Sequence, residues 1–111
     1  MLRGVRGATT VEENIKDSIT ERVAELLIAI LAENSIATED IAAVIFSSTP
    51  DINSAFPAQA ARRIGWEAVP LFGTQEIENP DGVLKCVRVL VLWNVDKTQN
   101  EIRHVYLHGA A

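Results

Sequence analysis

Residues 86–93 read Cys-Val-Arg-Val-Leu-Val-Leu-Trp, and Arg88 is the only polar residue among them. This run predicts a strand over residues 85–95, in which successive side chains point to opposite sides of a sheet. Both faces of the strand are therefore apolar, as expected where both faces of a sheet are covered.

One long helix is predicted after the first strand, and it can cover only one of those two faces. Asn14 is the expected N-cap, and apolar residues follow at helical spacing. They are Ile15, Ile19, Val23, Leu26, Leu27, Ile30 and Leu31. We expect the other face of the sheet to meet another subunit in a closed homo-oligomer.

The remaining segments complete one domain over residues 1–111. The pattern predicts strands at residues 2–10, 42–49, 68–78 and 102–107, and a short helix at residues 54–65. The predicted fold class is α+β, with a mixed β-sheet packed by one long helix and one short helix.

The composition excludes several classes of partner. The chain has 111 residues, 48% of them hydrophobic, and a net charge of −5. Without a cluster of lysine and arginine, nucleic acid is not an expected partner. The apolar runs are shorter than the roughly 18–20 residues of a membrane span, and no secretory signal is evident, so we expect a cytoplasmic protein without a membrane partner. Cys86 is the only cysteine, and its apolar neighbours predict a buried, inert thiol.

Arg88 requires an anion, because a guanidinium keeps its proton and is very costly to bury unpaired. The anion could be a carboxylate of the protein or a ligand. Glu76 is a candidate in both cases, since it could pair with Arg88 or accept a hydrogen bond from a substrate hydroxyl.

Three arginines lie in apolar or small-residue surroundings: Arg6, Arg62 and Arg88. If they converge, they form a positive pocket for a small molecule with several negative charges, because the planar guanidinium matches carboxylates. Alternatively, each pairs structurally with a glutamate or a backbone carbonyl. Tyr106 could donate its phenol to a carboxylate or simply pack at the rim.

Familiar catalytic machinery is not evident in the sequence. We find no Ser-His-Asp set, phosphate-binding loop, dinucleotide fingerprint or metal-ligand spacing, and His104 and His108 have no companion at such spacing. Neither a metal nor another cofactor is expected.

Several ordered motifs together resemble the monofunctional AroH-type chorismate mutases known from Bacillus and Thermus. They are residues 3–10 (Arg-Gly-Val-Arg-Gly-Ala-Thr-Thr), 56–58 (Phe-Pro-Ala), 62 (Arg), 75–76 (Gln-Glu), 86–89 (Cys-Val-Arg-Val) and 102–106 (Ile-Arg-His-Val-Tyr). The resemblance implies a homotrimer with a pseudo-α/β-barrel fold and active sites between subunits. It also implies an isomerase of the shikimate pathway, which converts chorismate to prephenate on the route to phenylalanine and tyrosine.

The resemblance also implies residue roles. Arg88 would stabilise charge on the breaking ether oxygen, and Glu76 would bind the ring hydroxyl. Substrate-binding residues would be Arg6 and Tyr106 at a carboxylate, Phe56, Ala58, Leu71 and Gly73 along an apolar wall, and Arg62 near the entrance.

The sequence departs from the Bacillus pattern at three positions and at its end. Gln59 replaces a lysine, and Phe72 and Gly73 replace a threonine and a cysteine. The family usually continues into a tail containing Leu-Arg-Pro, and a chain without it is expected to keep its fold but bind chorismate less tightly. The alternatives are a non-catalytic trimeric binder of small carboxylates and a Rid-type imine deaminase, which the motifs fit poorly.

Overall fold

The sheet has five strands in the order β3-β2-β4-β1-β5. The structure, a computed structural model, describes residues 1–111. Its elements are β1 (Leu2–Thr10), α1 (Lys16–Asn34), β2 (Ile41–Ser48), α2 (Ala58–Arg63), β3 (Leu71–Gln75), β4 (Cys86–Asn94) and β5 (Val105–Tyr106). Central strand β4 is antiparallel to β1 and β2, whereas the outer strands β5 and β3 are parallel to β1 and β2. The predicted α+β fold with a mixed sheet is confirmed.

One face of β4 is packed in the core, as its alternating pattern predicts. Val87, Val89, Val91 and Trp93 are buried with the apolar side of α1. Gly7 of β1 lies under the same helix, and a Cβ there would come within 2.7 Å of the Ile30 side chain. α1 therefore lies very close to the sheet at this point. Neither helix combines the length and the apolar character that crossing a membrane requires.

The second face of the sheet has no covering element in the chain. Leu90, Leu92 and Ile45 on this face are only half-buried, and Phe72 on edge strand β3 is 65% exposed. We call this surface the open face. The Arg88 side chain lies on the open face and is 48% exposed in the single chain.

Asn14 does not cap α1, contrary to prediction. The helix begins at Lys16 after Ile15, without a side-chain cap. The Asn14 amide instead bonds to the loop before α2: its oxygen accepts the backbone N–H groups of Asn53 and Ser54, and its nitrogen donates to the Asn53 side chain. These bonds to a distant segment outweigh a local cap.

Three other elements are shorter than predicted. The predicted short helix of residues 54–65 is limited to Ala58–Arg63, and the strand of residues 68–78 to Leu71–Gln75. The last strand was predicted over residues 102–107, but only Val105–Tyr106 pair with β1. Its start is delayed because the Asn34 side chain engages both backbone groups of Arg103.

Candidate active site

A row of side chains crosses the open face through Arg88. Arg88 pairs with Ala8 on one side and Ser47 on the other, and Ala8 pairs in turn with Tyr106 of β5. Directly paired residues share a face of the sheet, so Tyr106, Ala8, Arg88 and Ser47 form one row. Because Ala8 and Ser47 are small, the space beside the guanidinium stays open.

Arg6 belongs to the next row, opposite Leu90. Arg6, Arg88 and Tyr106 all line a shallow cavity of about 280 Å³ above these rows. The structure thus brings together two of the three predicted arginines and the predicted phenol. Two guanidiniums and a phenol beside apolar Leu90 can bind carboxylates next to a small hydrophobic ring.

Glu76 forms an ion pair with Arg88 through the guanidinium Nε. The backbone N–H of Glu76 donates to Ser48 O (2.9 Å), which holds the carboxylate at the end of β3. Glu76 thus pairs with Arg88 within the chain, while its role toward a substrate hydroxyl stays a prediction. The remaining four N–H donors of Arg88 have no partner in the chain, and the pair is partly exposed, so it contributes only about 0–1 kcal/mol to stability. The guanidinium therefore remains free to bind an external anion.

A second cavity, of about 460 Å³, is lined by both Arg88 and Glu76. The loop between β3 and β4 forms much of its wall, and Ile77 in this loop is 93% exposed. Arg88 therefore lines both cavities of the candidate site.

A hydrogen-bond cluster that the sequence analysis missed fixes the start of β4. The Asp51 carboxylate accepts the Thr49 hydroxyl (2.5 Å) and the Lys85 backbone N–H (2.9 Å), and Thr49 Oγ1 accepts the Cys86 N–H (3.0 Å). Burial opposes ionisation of Asp51, but the Thr49 and Lys85 hydrogen bonds outweigh it and lower its pKa. The backbone is thus fixed by hydrogen bonds at Cys86, two residues before Arg88. In the sequence, the polar Thr49-Pro50-Asp51 turn after a buried strand was the feature that could have indicated this cluster.

Cys86 is fully buried, as predicted, and burial raises the pKa of its thiol. No three His, Cys, Asp or Glu side chains lie close enough together to hold a metal ion.

His104 supports the Arg6 backbone. The N–H of Arg6 donates to His104 Nδ1 (2.9 Å), beside the short pairing of β1 with β5. Desolvation and the charge of Arg6 lower the pKa of His104 below its ordinary value of 6.5. Protonation of His104 would remove the acceptor for this hydrogen bond.

We expect His104→Asn to reduce the pH dependence of stability. The unfolded chain binds a proton at His104 near pH 6.5, whereas the folded chain binds it only at lower pH. The stability from neutral His104 is therefore present above pH 6.5 and lost as pH falls through the folded-state pKa. Urea unfolding should show that the free energy of unfolding decreases more for the wild type than for the variant as the pH falls below 6.5. Parallel losses would contradict this assignment, since all other titrating groups are common to both proteins.

Arg62 does not join the other two arginines. Its Nη1 donates to the carbonyl oxygens of Trp66, Glu67 (2.8 Å) and Val69 (3.1 Å), closing the chain after α2. The structural alternative thus describes the contacts of Arg62 within the chain, and its place near the entrance of a site between subunits stays a prediction. One sequence could not distinguish it from Arg88, because both are arginines in apolar surroundings.

The predicted apolar wall lies on the other side of the sheet from Arg88. Gly73 and Leu71 pair with Phe46 and Val44, whose side chains are buried on the α1 face. Phe56, Ala58 and Gly73 line a third cavity, of about 640 Å³, which we call the Phe56 cavity. Leu71 lines none of these three cavities. A single chain therefore does not present Arg88 and this wall to one small molecule.

Comparisons with known proteins agree with one another. The family model described as chorismate mutase type I matches residues 2–111. Chorismate mutase AroH of Thermus thermophilus is 49% identical over 111 residues, covering 99% of this chain and 91% of the relative. Its namesake from Bacillus subtilis (strain 168) is 43% identical, covering 96% and 85%. A solved structure, a chorismate mutase from Clostridium thermocellum, matches with a TM-score of 0.95 at 42% identity, covering 97% of this chain and 96% of that one.

Proposed function

This chain belongs to the chorismate mutase type I family, and we propose that residues 1–111 form one domain that rearranges chorismate to prephenate on the open face of the sheet. The observation that carries the proposal is Arg88, which is half-exposed, anchored by its strand and bound within the chain only through Nε. The comparisons give no support to a non-catalytic binder.

The reaction needs shape and charge rather than a nucleophile. Chorismate is a small dianion, and its rearrangement exchanges bonds within one molecule. Holding the enolpyruvyl arm over the ring removes conformational freedom before the reaction. As the ether C–O bond breaks ahead of C–C formation, negative charge gathers on the ether oxygen. A fixed cation there stabilises the transition state more than the ground state.

Arg88 is the proposed cation at the ether oxygen. Its Nε stays with Glu76, which fixes the plane of the guanidinium, and its free N–H groups point to the substrate. The second oxygen of Glu76 is then available to the ring hydroxyl. Arg6 and Tyr106, which share the 280 Å³ cavity with Arg88, bind a substrate carboxylate.

A homotrimer completes the site. Support comes from the open face, which leaves apolar side chains such as Leu92 and Phe72 without a cover. Support also comes from the opposite placement of Arg88 and Gly73, because the open face of one chain can receive the Phe56, Ala58, Leu71 and Gly73 wall of its neighbour. Such a head-to-tail contact closes into a ring. The cytoplasmic location stays a prediction of the sequence.

Purified protein is expected to consume chorismate without any additive. The assay follows the loss of the ultraviolet absorbance of chorismate and the appearance of prephenate. Binding of chorismate without consumption would contradict the proposal and revive the non-catalytic binder.

A further inference from the structure

Lys16 is the only charged residue that lines the Phe56 cavity. The other lining residues, which include Phe56, Ala58, Gln59 and Gly73, are apolar or uncharged polar groups. A lone cation in an otherwise neutral cavity is a feature that the mechanism above does not use.

The Lys16 side chain is exposed, and its ammonium group has no hydrogen-bond or ion-pair partner in the chain. None of the acids beside it in the sequence, Glu12, Glu13 and Asp17, forms an ion pair with Lys16, and Glu12 is paired with Arg22 (3.2 Å). Lys16 is therefore available to an external anion.

The backbone before Lys16 is fixed to the loop that carries Phe56. Besides the bonds of the Asn14 amide to residues 53–54, the Ser54 hydroxyl donates to Asn14 O (2.8 Å). These contacts hold the start of α1 against the cavity wall. The lysine thus has a fixed base and a flexible, hydrated charge at its end.

We infer that Lys16 is a substrate-binding residue, which attracts a carboxylate of the dianionic substrate to the wall side of the cleft. The inference rests on the proposed function. A protein of net charge −5 repels a dianion at long range, and a local cation at the cleft offsets that repulsion. A mobile ammonium acts equally on the bound substrate and the transition state, so it changes KM rather than kcat.

Lys16→Gln is expected to raise KM about 3- to 10-fold at low ionic strength, the range of one solvent-screened charge acting on a dianion, with kcat unchanged. Added salt should narrow the difference from wild type, because mobile ions screen the charge. The matched control is Lys97→Gln, which removes the same charge from a residue that does not line the Phe56 cavity. Lys97 lies over the Trp93 ring, near the C-terminal end of β4. Its KM is expected to equal that of the wild type.

A double variant that moves the positive charge to another position in the same cavity separates an electrostatic effect from an effect on local structure. Gln59 lines the same cavity, so Lys16→Gln combined with Gln59→Lys returns a cation to it and should recover most of the lost KM. An unchanged KM in Lys16→Gln, an equal rise in Lys97→Gln, or no recovery in the double variant would overturn the inference while leaving chorismate consumption by the wild type intact. A wild type that does not consume chorismate would remove the proposed function and this inference together.

Discussion

Replacing Arg88 with alanine is expected to lower kcat by at least about 100-fold, since loss of one preorganised donor to a developing oxyanion costs about 3–4 kcal/mol. The remaining cations, Arg6 and Lys16, cannot substitute for it. Arg6 lies in the next row of the sheet, and Lys16 lines the cavity on the far side. Chorismate consumption under saturating substrate measures the change directly.

Stability and a second arginine serve as controls for Arg88→Ala. The Arg88 side chain is half-exposed, so its removal should change the free energy of unfolding by no more than about 1 kcal/mol. Arg103→Ala removes an exposed arginine whose side chain has no hydrogen bond or ion pair, and this variant should keep wild-type kcat. A near-wild-type kcat in Arg88→Ala would show that its pairing with Glu76 is purely structural.

If the open face is the subunit interface, as proposed, replacing Leu92 with glutamate is expected to dissociate the proposed trimer and abolish turnover. Leu92 lies on the open face opposite Gly4 and Ala43, away from the Arg88 row, so its side chain tests assembly rather than chemistry. An unpaired carboxylate in an apolar interface costs several kcal/mol per subunit. Light scattering should give a mass near that of one 12.1 kDa chain instead of three.

Ile28→Glu provides the matched control for Leu92→Glu. Ile28 is 54% exposed on the outer surface of α1, so the variant introduces the same charge on an exposed apolar residue away from the open face. It should remain trimeric and active. A trimeric Leu92→Glu would refute the open face as the interface.

Periodicity predicted the parts of the fold that depend on burial alone. The continuous apolar run around Arg88 identified β4 and its two apolar faces, and the apolar stripe from Ile19 to Ile30 identified α1. Element ends were predicted less well, because distant side chains set them. Asn14 bonds to residues 53–54 instead of capping α1, and Asn34 takes the Arg103 backbone away from β5.

The residues of the candidate site were also predicted only in part. Residue type and apolar context selected Arg6, Arg88 and Tyr106, which the fold brings to one cavity. The same reasoning selected Arg62, whose carbonyl partners are specified only by the path of the chain after α2. Asp51 and Lys16 were missed, since the Lys85 N–H that Asp51 accepts and the cavity that Lys16 lines both involve residues remote in sequence.

The two sides of edge strand β3 have a genetic consequence. If each cleft takes its arginine from one chain and its apolar wall from the next, a chain with a damaged Arg88 and a chain with a damaged wall are complementary. Every mixed ring of three then contains one cleft in which both halves are sound. Two alleles that each encode an inactive protein when expressed alone would therefore, when expressed together, restore growth to a strain that lacks this activity.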